Sequence, residues 1–197
     1  MLMRCIRRIG LCLIILAAAA GCQSGGEPRR SPDTQTPAAN QPQATSLRGV
    51  PLYARPVDDA TTALEANLAA ARDALAANPD DPDRVIWYGR RLGYLWRAAE
   101  AVDVLTQGLA EHPDHAALLR HRGHRLLTLR RFAEAEQDLA RAAELIEGRP
   151  DEIEPDGAPN RLNIPLTTLR FNIWYHLGLA YYLKGDFENA LPIYERD

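Results

Sequence analysis

The chain has 197 residues and a formal charge of −3, with 23 Lys and Arg against 26 Asp and Glu. That balance lacks the basic footprint of a nucleic-acid-binding protein. Its three cysteines stand at positions 5, 12 and 22, so residues 23–197 can hold neither a disulfide nor a thiolate metal site.

Arg4, Arg7 and Arg8 precede the apolar run 9–20, which ends at Ala19, Ala20, Gly21 and Cys22. A basic start, about a dozen apolar residues and small residues before a cut describe an export signal over 1–21. The run is too short for a comfortable membrane-spanning helix. The tetrad resembles the lipobox of bacterial lipoproteins, although Ala19 stands where that family prefers Leu. The resemblance implies that Cys22 becomes the lipidated first residue of the mature chain; ordinary cleavage or an uncleaved anchor is the alternative. Several acyl chains would anchor durably, at about 0.8 kcal/mol per buried methylene. Gln23 after the cysteine then implies the outer membrane, facing the periplasm. Loss of the three arginines moves the formal charge from −3 to −6. Residues 22–47 are rich in Pro, Gly, Gln, Ser and Thr and nearly free of large apolar side chains. They predict a flexible tether, because so little burial cannot offset ordering entropy.

Residues 48–78 contain a leading capping helix, with Leu64, Leu68 and Leu75 at helical spacing and Asn78-Pro79 as its stop. Helices follow over 83–95, 98–111, 116–129 and 132–146, with Pro79 and Pro113 at the boundaries. Gly89 recurs as Gly123, Leu92 as Leu126, Ala101 as Ala135 and Leu105 as Leu139, all in one register. The shared period marks stacked helix-turn-helix units, none able to bury its apolar face alone.

At these positions the chain resembles the tetratricopeptide repeat family. Gly89, Leu92, Ala101, Leu105 and Pro113 match one unit, and Gly123, Leu126, Phe132, Ala135, Leu139 and Ala142 the next, together spanning 79–146. Trp174, Leu177, Gly178, Tyr181, Gly185, Asp186, Phe187, Ala190 and Tyr194 match a third, over 167–197. Val85 and Leu119 depart from the leading Trp, Tyr88 and Arg122 from the Leu before the Gly. The resemblance implies an all-α, right-handed α-solenoid of antiparallel helix pairs. It also implies a concave protein-binding groove, no catalysis and no cofactor.

Gly178 falls well beyond one period after Gly123, so additional chain enlarges the spacing between units two and three. The inserted loop, 147–166, is rich in Pro and Gly and carries an acidic stretch over 151–156. It is either an ordered flap packed through Leu162, Ile164 and Leu166 or an unstructured acidic spacer. A third alternative folds it back onto the groove as a lid. The last helix is short for its unit, which suggests a piece of a longer repeat protein.

By the family's register the groove is lined by Ile86, Arg90 and Tyr94, then Arg120, His124 and Thr128, then Tyr175, Leu179 and Tyr182. Arg120, Arg122 and Arg125 share a helix that holds no acid, which favours an acidic peptide or a free C-terminus. Equally, these arginines are ordinary solvated surface. His112, His115, His121 and His124 lie close in sequence but form no HExxH, so a metal site is not expected. Glu154 and Asp156 are a weak acid pair on a loop. The leading expectation is a lipid-anchored cell-envelope adaptor that binds a protein or peptide. A structural spacer or oligomerisation element and an envelope enzyme with its site outside the repeats are the alternatives.

Overall fold

The computed structural model describes residues 41–154 and 167–196. The export signal, Cys22, most of the tether, and Asp156, Leu162, Ile164 and Leu166 lie outside the described residues. Within them are a small hairpin and seven helices: β1 (Ala44–Thr45), β2 (Pro51–Leu52), α1 (Thr62–Ala77), α2 (Pro82–Tyr94), α3 (Ala98–Glu111), α4 (Ala116–Thr128), α5 (Phe132–Leu145), α6 (Leu169–Lys184) and α7 (Phe187–Tyr194). They form an all-α solenoid of consecutive antiparallel helix pairs.

The hairpin lies where the sequence predicts the end of a tether. Ala44 pairs with Leu52 and Thr45 with Pro51 across a turn that contains Gly49 at φ +77°. It is held to the array by polar groups: Arg55 N–H donates to Leu95 O at 3.0 Å, and Gln43 Oε1 accepts from Ala99 N–H at 3.2 Å. Its large apolar side chains, Leu47, Val50, Leu52 and Tyr53, stay exposed, so these hydrogen bonds, rather than burial, account for the order.

Helix starts follow local chemistry. Asp81 caps α2 by accepting from Asp83 N–H at 2.9 Å, with Pro82 in the first turn where its missing N–H costs nothing. His115 Nδ1 caps α4 through Leu118 N–H, and Thr168 caps α6 through Phe171 N–H. Inside each pair the same turn recurs. Arg97 N–H donates to Leu92 O, Arg131 N–H to Leu126 O and Asp186 N–H to Tyr181 O, at 3.0, 2.9 and 3.0 Å. This six-to-one bond needs a left-handed residue just before its donor. Trp96, Arg130 and Gly185 occupy that place at φ 58°, 63° and 81°.

Each helix packs on its sequence neighbours, and α4 also touches both α2 and α6, so the three line one face. The two helices of a unit cross closely at glycine. A Cβ at Gly89 would lie 3.1 Å from Leu105 Cγ, and one at Gly123 2.7 Å from Leu139 Cγ. Leu92, Leu105, Leu118, Leu139 and Ile173 are sealed from solvent, each contributing about 1.5–3 kcal/mol relative to exposure.

The long spacing before α6 is taken up by an extended segment at the base of the insert. Leu169 N–H donates to Glu152 O at 2.8 Å, Glu154 N–H donates to Thr167 O at 3.1 Å, and Ile153 bridges Thr168 antiparallel. Residues 151–154 are thereby steered towards the face made by α2, α4 and α6.

Candidate functional site on the face of α2, α4 and α6

The nine groove residues expected from the repeat register do not all line one cavity. Arg90, Tyr94, Arg120 and His124 come together with His121 and Arg125 around a cavity of about 120 Å³ between α2 and α4. Ile86 is buried and lines a neighbouring cavity of about 250 Å³ with Trp87 and the insert residues 152–154. Tyr175 belongs elsewhere. It stacks on Phe171 at 6.0 Å, and with Trp174 and Tyr194 it lines a cavity of about 460 Å³ beside α7. Leu179 packs on the core, Thr128 donates back to His124 O within its own helix, and Tyr182 is exposed against the edge of Phe187.

The arginines are not solvated surface. Arg120 is 7% exposed and its Nη2 lies 2.7 Å from Glu154 Oε2. That oxygen also accepts from Asn172 Nδ2 at 2.8 Å, so one carboxylate from the insert joins α4 to α6. Glu154 is itself 8% exposed. The weak acid pair suggested by sequence is therefore replaced, for its described member, by a buried ion pair. Arg90 lies over the Trp87 ring at 4.6 Å and donates to Tyr94 Oη at 3.4 Å.

Three imidazoles sit among these guanidinium groups. Arg120 Nη1 donates to His121 Nδ1 at 3.0 Å, and Arg125 Nη2 to His124 Nδ1 at 2.7 Å. His176 lies against His124 with centroids 4.2 Å apart and the rings tilted by 40°, and donates from Nδ1 to Asn172 O at 2.6 Å. Burial, and then the neighbouring arginines, holds His121 neutral; burial, Arg125 and His176 do the same for His124. Burial and Arg120 lower His176 to about 4. Burial lowers Arg125 as well, to about 10, with Arg120 next in effect. The fixed positive charge of the cavity is therefore carried by arginine alone.

The groove register left out Arg125 and His121, and sequence reasoning missed Asn172 and His176 altogether. One signal was available for Arg125: Gly93 breaks the repeat, since the equivalent position of the next unit is Leu127. Any Cβ at Gly93 would collide with the Arg125 guanidinium. Among the described residues, no group of three His, Cys, Asp or Glu side chains is placed to hold a metal ion. His112 and His115 lie at the turn before α4, away from this cavity.

The architecture has solved counterparts. A crystal structure of MamA superposes with a TM-score of 0.51 at 17% identity, covering 71% of this chain and 72% of that one. A second MamA structure, AMB-1, gives 0.49 at 21% identity over 70% and 69%. The first likeness supports a tetratricopeptide-like fold and, at that identity, the fold alone. No protein-family model and no curated protein matches the chain.

Proposed function

We propose that the array is a non-catalytic scaffold that binds a protein or peptide segment along the face of α2, α4 and α6. The observation that supports this reading is the chain's own occupancy of that face. Residues 151–154 run along it in extended form, with the Glu154 carboxylate held by Arg120 and Asn172. A surface that accepts an extended acidic segment in cis has the donors to accept one in trans. Lipidation at Cys22 would hold the scaffold at the outer membrane, facing the periplasm.

Panning a displayed random-peptide library on the full chain tests the binding reading. Enriched peptides that lose affinity on Arg90→Ala and Tyr94→Ala support it; a library that enriches nothing overturns it. Labelling with a palmitate analogue, compared between wild type and Cys22→Ser, tests the anchor. Equal labelling of both proteins would dismiss it.

A second reading, self-association, is favoured by exposed apolar side chains on α6 and α7. Phe171, Tyr175, Tyr182, Phe187, Leu191 and Tyr194 are each more than 40% exposed. Sedimentation over a hundredfold concentration range separates the readings, since only self-association shifts mass with concentration.

A further inference from the structure

The cavity of about 460 Å³ beside α7 shares no lining residue with the two cavities on the face of α2, α4 and α6. Four aromatic rings line it: Phe171, Trp174 and Tyr175 from α6, and Tyr194 from α7. Phe171 and Tyr175, one helical turn apart, present nearly parallel rings with centroids 6.0 Å apart, and Tyr194 tilts towards Tyr175 at 6.5 Å. Gly178 makes room for Tyr194, since a Cβ there would lie 2.8 Å from its ring. The close crossing of α6 and α7 therefore places that wall of the cavity.

A cation from the chain itself sits in this space. The guanidinium carbon of Arg196 lies 4.4 Å from the centroid of the Trp174 ring. Arg196 is exposed and, among the described residues, forms no ion pair, so the face of the indole is what it meets. Glu147 and Asp151 line the same cavity. Asp151 is committed, because its Oδ1 accepts from Glu152 and Arg170 N–H at 2.9 and 3.1 Å, and the charge of Arg170 acts on it. The Arg170 guanidinium itself donates to Arg149 O at 2.5 Å. Glu147, in no ion pair among the described residues, adds a negative charge beside the rings.

From this arrangement we infer that the cavity beside α7 binds the guanidinium of an arginine side chain from a partner peptide, stacked on Trp174 in the place that Arg196 takes. Phe171, Tyr175 and Tyr194 surround the incoming side chain, and Glu147 complements its charge. A guanidinium is planar and weakly hydrated, so it stacks on an aromatic face at less cost than an ammonium. Arg196 is the internal competitor. A partner's arginine replaces it one for one and leaves the local charge unchanged. This inference is independent of the groove reading. It assigns to a basic partner segment part of the aromatic surface that self-association would otherwise cover.

Acetyl-triarginine amide and acetyl-tricitrulline amide, alike in shape but not in charge, are titrated into the full chain by calorimetry. Wild type is expected to prefer triarginine by about tenfold. Trp174→Leu should abolish that preference. Arg196→Gln should tighten triarginine binding by about threefold, because the competing internal state is removed. Arg196 is exposed, so this variant decides the matter if Trp174→Leu does not fold. Equal affinity for the two peptides overturns the inference, as does an arginine preference that survives in folded Trp174→Leu. No gain in Arg196→Gln overturns it too. A dimer in sedimentation that triarginine does not dissociate would overturn it and leave self-association standing. The library result with Arg90→Ala and Tyr94→Ala bears on the groove alone.

Discussion

Glu154 Oε2 stands 2.7 Å from Arg120 Nη2, joining an insert residue to a helix of the preceding unit. Both side chains are nearly sealed from solvent, so their ion pair offsets part of each group's lost hydration. Removing one partner takes that offset from the other. Glu154→Ala is expected to destabilise the array by about 3–5 kcal/mol, read as a lower urea midpoint. Replacing both partners, Arg120→Met with Glu154→Leu, should recover much of that loss. A double variant less stable than Glu154→Ala alone would show that the pair is not a coupled unit.

Stability should fall as the medium is acidified from neutrality. His176 is lowered to about 4 by burial and Arg120, against 6.5 when unfolded. It faces His124, Tyr175, the Asn172 carbonyl and the charges of Arg120 and Arg125. Between those two values the unfolded chain binds the proton and the folded chain does not. The stabilisation is present above about pH 6.5 and is lost as pH falls towards 4, by about 3 kcal/mol for this group. His121 and His124 are shifted in the same direction and steepen the slope. Urea midpoints at pH 7.5 and 5 measure it, and His176→Gln should flatten the difference. An unchanged slope in that variant would relocate the effect.

The two crossing glycines should respond unequally to alanine. Alanine favours a helix by about 1 kcal/mol over glycine. At Gly89 the new methyl meets Leu105 at 3.1 Å, whereas at Gly123 it meets the sealed Leu139 at 2.7 Å. Gly123→Ala is expected to cost about 1–3 kcal/mol through overpacking, and Gly89→Ala to be close to neutral. Thermal melts of the two variants decide it; the reverse order would mean that α4 and α5 pack more loosely than α2 and α3.

Arg130 carries a left-handed backbone, φ 63°, at the place where the third unit has Gly185. A Cβ in that conformation is strained by about 1 kcal/mol or more. Arg130 also lies over the Phe132 ring at 5.3 Å, a contact its removal would forfeit. Arg130→Gly should therefore be stabilising by about 0.5–1 kcal/mol. Trp96 occupies the same strained place, but Arg55 beside the hairpin lies 5.6 Å from its ring. A glycine there should give less. A lower melting temperature for Arg130→Gly would show that the side chain matters more than the turn.

Much of the array is legible without coordinates. The helices α2 to α5 fall close to the sequence reading, because their apolar spacing, their caps and the repeat period are local or repeated signals. The hairpin Ala44–Leu52 was not legible, since its order comes from hydrogen bonds to a turn far along the chain rather than from apolar pattern. Of the residues the register named, Arg90, Tyr94, Arg120 and His124 line one cavity, whereas Tyr175 lines another and Thr128 lines neither.

The sequence by itself determined that this is a helical repeat array, roughly where α2 to α5 start and stop, and which helices present arginine. Each of those properties is written in spacing along the chain. Only the tertiary structure decided that Glu154 enters the face and that His176 closes on His124 from the next unit. It also decided that the Arg125 guanidinium packs into the space left at Gly93. Those contacts depend on where a non-repeating segment travels and how adjacent units stack, and no period along the chain encodes either.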